Sequence, residues 1–365
     1  MSYLGLAAVG ALVAAGAFKL RGTTVFDVKY FLYTFPMVGG RVHQARLQSF
    51  RNKSKHSSCN GANAATFLDG PEQKIAVRTV PYLSDNYAFL IIDYARDEVA
   101  VVDPADARGV VEAVAKESER CGKQLRITDA LITHYHADHA GGNVDLCKLV
   151  PGVRIFGSSK ERNFGVPGTT VGIQDGSVIP FGGLDINVVE TPGHTQGHVS
   201  FYIPVQPGCE TAVIFTGDAL FVAGAGRFFE GTGKDAIRSM KFYRSLAPET
   251  LVFPGHEYAA DNFDYACWLE PENESLAARR DWAHALREQR KPIVPMSLEH
   301  ELTYNPFLRF DDPALLAALP EARHRAAETE NEGDTSTLFT DADPAEVLQT
   351  LRDLKDAGVY QNVRA

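Results

Sequence analysis

The 365-residue chain contains no CxxC pair, and its five cysteines, Cys59, Cys121, Cys147, Cys209 and Cys267, are odd in number and widely spaced. That excludes a disulfide framework and points to ordinary thiols in a reducing compartment. Basic charge is also short. Thirty-six Lys and Arg stand against 46 Asp and Glu, a formal net charge of -10. General nucleic-acid binding, which needs cations to neutralise phosphates, is thereby disfavoured. No internal repeat is visible.

Acidic residues are missing from one region in particular. Between Met1 and Phe67 only Asp27 is acidic, against eight Lys and Arg. The uncharged run from Tyr3 to Phe18 is short for a membrane span, and it lacks the basic start of a secretory signal. Basic, acid-poor sequence ending near Ser49, Ser54, Ser57 and Ser58 fits an organelle presequence, mitochondrial first. The alternatives are membrane association through residues 3–18 and a cytoplasmic protein with an unaddressed extension.

With 45% hydrophobic and 22% charged residues, the remainder is long enough for two packed domains. Strand-like segments run from Lys74 to Val80, Tyr87 to Tyr94 and Glu98 to Val102. Val110, Val111 and Val114 give Ala107 to Glu119 an apolar helical face. Further strands follow at Ala130 to Thr133, Val153 to Phe156, Leu184 to Val189, His198 to Ile203, Ala212 to Phe215 and Thr250 to Phe253. After His256 the pattern turns helical, over Tyr258 to Glu270, Glu274 to Gln289 and Pro344 to Asp356. Pro320 to Asp341 is polar and charged and reads as a flexible surface segment. The expected organisation is an N-terminal extension over 1–72, a mixed strand/helix catalytic domain over 73–256 and a helical domain over 257–365.

The densest chemical signal is Thr133-His134-Tyr135-His136-Ala137-Asp138-His139. Three imidazoles and a carboxylate so close together are costly to bury without partners. A divalent metal removes that cost, because neutral imidazole and carboxylate are good ligands for Zn, Fe and Mn. The chain supplies more such groups: His194 in Thr-Pro-Gly-His-Thr, Asp218 in Thr-Gly-Asp and His256 in Pro-Gly-His-Glu-Tyr. Each has a glycine before it, which permits tight backbone geometry. Five His and two Asp suit two metals that share a carboxylate. Two such ions acidify a common water and stabilise an oxyanion. A thiolate leaving group needs little acid help, so thioester hydrolysis suits the site.

This HxHxDH series, with its later His, Asp and His, resembles the ligand set of the metallo-β-lactamase superfamily. The resemblance implies an α/β fold, a four-layer αββα sandwich. It places His134, His136 and His194 on one metal and Asp138, His139 and His256 on the other. Asp218 bridges them and holds the nucleophilic hydroxide site, and Asp138 helps orient the water. His198 reads as a supporting histidine.

Other segments resemble the glyoxalase II (hydroxyacylglutathione hydrolase) family. They are Leu83-Ser84-Asp85-Asn86-Tyr87, Val102-Asp103-Pro104, the run from Gly217 to Thr232, Gly255-His256-Glu257-Tyr258, Thr303 to Arg309, and Leu351 to Asp356. The resemblance extends from about Lys74 to Gly358. It implies a C-terminal α-helical domain, two divalent ions (zinc first, with iron or manganese as alternatives) and hydrolysis of S-D-lactoylglutathione to D-lactate and glutathione. That reaction is the second step of methylglyoxal detoxification. The family's glutathione-binding positions match Arg227, Tyr258, Arg352 and Lys355, and cations there suit the two carboxylates of glutathione. Two departures stand out: Arg227 replaces Lys and Phe229 replaces Tyr. The change at Phe229 deletes a hydroxyl, at a cost of about 0.5–1.5 kcal/mol if it bonded substrate.

Rival readings are a glutathione persulfide dioxygenase with a single iron, a superfamily nuclease, and a membrane-tethered protein that binds metal or glutathione without catalysis. The complete second ligand set weighs against the first, acidic charge against the second, and the absence of any lost ligand against the third.

Overall fold

The computed structural model describes residues 65–72, 74–161, 165–330 and 343–364. The acid-poor segment over 1–64, with the apolar run of residues 3–18, lies outside them. None of the described helices is long and apolar enough to cross a membrane.

Two sheets form the centre. The first has seven strands in sequential order, β1 (Thr66–Phe67), β2 (Ile75–Tyr82), β3 (Asn86–Asp93), β4 (Glu98–Val102), β5 (Arg126–Leu131), β6 (Arg154–Ser158) and β7 (Val171–Ile173). The second comprises β8 (Val178–Phe181), β9 (Leu184–Glu190), β10 (Val199–Ile203), β11 (Val213–Gly217), β12 (Leu251–Pro254) and β13 (Met296–Ser297), ordered β13-β12-β11-β10-β9-β8. β4 to β7 are mutually parallel and so are β11 and β12, while the other neighbours are antiparallel.

Burial follows composition. β3 is buried at all positions and so is β11, and both are near-continuous apolar runs, as strands covered on two faces require. Between the sheets, Phe89 packs on Phe215 and Phe253 with ring centroids 5.5 and 5.3 Å apart. Outside the first sheet lie α1 (Ala107–Cys121), α2 (Ala137–Ala140) and α3 (Asn143–Leu149). Val110, Val114 and Leu146 close that core. α4 (Gly233–Ser245) covers the second sheet, its Ala236, Met240 and Tyr243 packing with Ile214 and Val252. The layers are thus helix, sheet, sheet, helix: the αββα sandwich.

The C-terminal helices α5 (Ala259–Leu269), α6 (Glu274–Glu288), α7 (Leu298–Tyr304), α8 (Pro313–Glu330) and α9 (Pro344–Ala357) extend the outer layer. α9 lies along α4, and Gly233 N donates to Gln349 Oε1 at 2.8 Å across the seam. The boundaries expected at 73 and 256 are not sharp breaks. Thr66–Phe67 already pair with β2, and Leu68 is fully buried. Met296–Ser297, far beyond His256, add the edge strand to the second sheet.

The expected flexible segment needs correcting. Residues 320–330 belong to α8, with Pro320 inside the helix. Leu315, Leu319 and Ala322 recur at helical spacing and are fully buried, and that apolar stripe outweighs the local polarity. Residues 331–342 fall outside the described chain.

Candidate metal centre

Every residue of the predicted ligand set lies just beyond a strand, at one end of the sandwich. β5 runs into Thr133 and His134, and the short helix α2 carries Asp138 and His139. The second sheet brings up His194 after β9, Asp218 after β11 and His256 after β12. Two turns make the approach possible. Gly217 has φ +47°, and a Cβ there would stand 2.6 Å from Thr133 Oγ1. A Cβ on Gly255 would stand 2.6 Å from Asp218 Oδ1, so only glycine fits.

The ligand atoms converge. His134 Nε2 is 2.9 Å from His136 Nδ1, and His194 Nε2 is 3.0 Å from the same atom. His139 Nε2 is 3.2 Å from His256 Nε2. Asp218 lies between the two groups, with Oδ1 at 3.3 Å from His139 Nε2 and Oδ2 at 3.4 Å from both His194 Nε2 and His256 Nε2. Asp138 Oδ2 is 3.6 Å from His256 Nε2. Three groups of ligand atoms lie within 4.8 Å: His134–His136–His194, His134–His139–Asp218 and Asp138–His139–His256.

The outward ring nitrogens show which lone pairs face inward. His194 Nδ1 donates to the Arg227 carbonyl at 2.9 Å, and His256 Nδ1 donates to Asp85 Oδ1 at 3.0 Å. His139 Nδ1 donates to Asp103 Oδ2 at 2.9 Å. The Thr133 hydroxyl donates to Asp103 Oδ2 at 2.7 Å, which leaves its oxygen to accept from His134 Nδ1 at 3.1 Å. These four rings therefore turn Nε2 toward the same small space, and His136 turns its Nδ1 there. Oriented histidines of this kind are characteristic of metal sites.

Electrostatics agree. Burial opposes charge on His139 and His256, yet Asp218 and the carboxylates behind the rings outweigh it. His139 is pushed well up, and His256 up to about 10. Burial and the neighbouring imidazoles hold His134 well below its ordinary value. Asp138 and Asp218 stay ionised despite burial because His256 and His139 face them. Asp218 Oδ1 is buried and has no hydrogen-bond partner among the described residues. The centre calls for positive charge at the point where lone pairs converge, so the donor set fits divalent cations.

A cleft of about 520 Å3 opens from His194 and Asp218 toward the C-terminal helices. All four residues matched to glutathione binding line it. Arg352 on α9 is buried: Nη1 donates to the Ala225 carbonyl at 2.9 Å and Nη2 to Asp356 at 2.7 Å. Arg227 Nε reaches the same carboxylate at 3.2 Å. Lys355 donates to Asn262 Oδ1 at 2.6 Å and Asp261 Oδ2 at 3.2 Å. The Tyr258 ring stacks on His256, with centroids 4.8 Å apart and planes 8° apart. Phe229 sets its ring edge-on to His194 and His136, at 5.2 and 6.1 Å.

Sequence reasoning assigned no role to Asp85, Asp103 or Thr133, although each lies in or beside a segment it singled out. Glu161 escaped it entirely. That carboxylate accepts from Thr195 Oγ1 at 2.9 Å and Tyr135 N at 3.3 Å, bracing the two loops that carry His134, His136 and His194. An aspartate at the end of a buried strand, as in Val102-Asp103-Pro104, is the signal that could have found Asp103. No local pattern marks Glu161.

Two family models cover this architecture. The one described as Metallo-beta-lactamase superfamily matches residues 83–256, and Hydroxyacylglutathione hydrolase C-terminus matches residues 257–358. A cytoplasmic hydroxyacylglutathione hydrolase of Arabidopsis thaliana is 40% identical over 65% of this chain and 88% of its own. A hydroxyacylglutathione hydrolase of Synechococcus is 36% identical over 76% of this chain and 97% of its own. A metallo-beta-lactamase structure from Staphylococcus aureus superimposes over 63% of this chain and 61% of its own, at 23% identity and a TM-score of 0.48. With its divalent-metal donor set and its two matched regions, the chain belongs to the hydroxyacylglutathione hydrolase family of the metallo-β-lactamase superfamily.

Proposed function

We infer that this enzyme hydrolyses S-D-lactoylglutathione to D-lactate and glutathione, the second step of methylglyoxal detoxification, with two divalent ions, zinc first. One observation carries the reading: the imidazole–carboxylate centre and a cleft lined by Arg227, Arg352 and Lys355 are continuous. In this reading His134, His136 and His194 hold one ion, and Asp138, His139 and His256 hold the other, with Asp218 between them. The ions, when bound, supply an acidified water and a polarised thioester carbonyl.

The chain's own groups do the rest. Asp138 is kept ionised beside the centre and accepts from Asn86 Nδ2 at 3.2 Å, an arrangement suited to orienting water. Arg227, Arg352 and Lys355 draw in the two glutathione carboxylates, while Tyr258 flanks the entrance. Phe229 walls the metal side with an apolar edge. A thiolate is a good enough leaving group to depart without a general acid. The metal-binding part runs through His256 and also lends Arg227 to the cleft, and the rest of the glutathione-binding part lies beyond it.

The N-terminal segment directs the enzyme to mitochondria in this reading; its basic, acid-poor composition supports that address.

The test is thioester loss from S-D-lactoylglutathione by residues 65–365, with metal quantified on the same sample. Rapid turnover with about two metals per chain is expected, falling at least about 100-fold in Asp218→Ala. Two metals without turnover would reject the substrate. Oxygen uptake on a glutathione persulfide would reject the hydrolytic reading itself.

A further inference from the structure

His198 is fully buried behind the centre and is absent from all three groups of convergent ligand atoms. Its Nε2 accepts from the backbone N–H of Asp218 at 3.1 Å. An atom that accepts carries no proton, so the hydrogen sits on Nδ1, which donates to Thr191 Oγ1 at 2.9 Å. Thr191 Oγ1 is 3.0 Å from Ser200 Oγ, which is 2.8 Å from Tyr243 OH on α4. A hydrogen-bonded chain thus crosses the second sheet from an outer helix to the backbone of the central aspartate, and all four of its side chains are buried.

The turn it meets has no slack. A Cβ on Gly217 would stand 2.7 Å from His198 Nε2 and equally close to Thr133 Cβ. Thr133 and His198 therefore grip the Gly217–Asp218 turn from two sides. His198 also stacks beside His134, with ring centroids 5.1 Å apart and planes at 29°. The Asp218 amide points into the protein, and with a different partner behind it the peptide would turn and swing the carboxylate. Since Asp218 stands between both ligand groups, a small rotation misplaces it for each.

We propose that His198 is a positioning residue: its Nε2 fixes the Asp218 peptide, and through it the site's capacity to hold two cations together. This rests on the bridging role given to Asp218, but not on the identity of the substrate.

The experiment loads full-length protein with Co(II), measuring stoichiometry and affinity by calorimetry and ligand geometry by visible absorption. Wild type is expected to bind two Co(II). His198→Asn removes the acceptor facing Asp218; it is expected to weaken the second ion at least about tenfold and shift the absorption bands. His198→Gln places an amide oxygen near the Nε2 position and is expected to recover part of the loss. Thr191→Val leaves His198 in place but removes its anchor, so it should weaken the second ion less, and it decides the matter if His198→Asn does not fold. Two ions bound with wild-type affinity and bands in a folded His198→Asn or Thr191→Val protein overturns the proposal. Intact two-ion binding by wild type, its loss in the variants and no thioesterase activity would uphold it while rejecting the proposed substrate. Fewer than two ions bound by wild type overturns it together with the bridging role.

Discussion

With Lys355 holding a substrate carboxylate as proposed, its titration would set a pH limit on the reaction. Burial pushes its ammonium down to about 8, against the pull of Asp261, while Arg352, Asp356 and the rings of Tyr265 and Tyr360 complete its surroundings. As pH rises through about 8 the side chain loses its charge, so the proposed grip on a substrate carboxylate would be lost on the alkaline side. KM for S-D-lactoylglutathione should therefore climb above pH 8, by about tenfold or more at full deprotonation, the worth of one charge-assisted bond. Lys355→Arg stays charged across that range, and its KM profile should be flat there. At Phe229, restoring a hydroxyl with Phe229→Tyr should lower KM about two- to tenfold if the oxygen reaches substrate, with kcat unchanged. The clustering of the histidines at a candidate metal centre could be read from sequence because a packed HxHxDH has few other physical justifications. The aspartates behind them could not, because nothing local says which ring a distant carboxylate will face.

Elements showed a similar split. β3 was legible as a β-rich run, α1 from its periodicity and α9 as a helix over Pro344 to Asp356, which the structure caps with Asp343 and ends at the left-handed Gly358. α4 was missed, although Thr232 and Asp235 form a capping box and Ala236, Met240 and Tyr243 make its inner face. Its glycine-rich approach, Gly231-Thr232-Gly233, reads as a loop when taken alone. That glycine has a packing reason: a Cβ on Gly233 would stand 2.0 Å from the Ala345 carbonyl of α9. Gly233→Ala should force the two helices apart and destabilise the protein by about 1–3 kcal/mol. Because α9 carries Arg352 and Lys355, KM should rise while metal content stays constant, and paired kinetics and metal analysis would show this separation. An unchanged KM would mean that the seam does not control the cleft.

At the scale of the molecule, the ligands come from loops of both sheets, so the cation site exists only once the sandwich has closed. An ion that binds only the folded state stabilises it by about 2.7 kcal/mol at a hundred times its Kd. Chelation should therefore lower the melting temperature, and added metal should restore it; calorimetry with and without chelator checks both. The N-terminal segment calls for a different assay. Fused to a fluorescent protein, residues 1–72 should co-localise with mitochondria, whereas staining of other membranes would favour anchoring through residues 3–18, and diffuse fluorescence would leave the cytoplasm.

The Arg352 guanidinium holds the Ala225 carbonyl, and two residues on the Arg227 carbonyl holds the outward nitrogen of His194. A gene rearrangement that exchanged the tail as a block would leave the loop beneath His194 without its clasp. A replacement at Phe229 changes the cleft locally, whereas a grafted module would also have to restore the hold on the loop from Ala225 to Arg227 that supports His194.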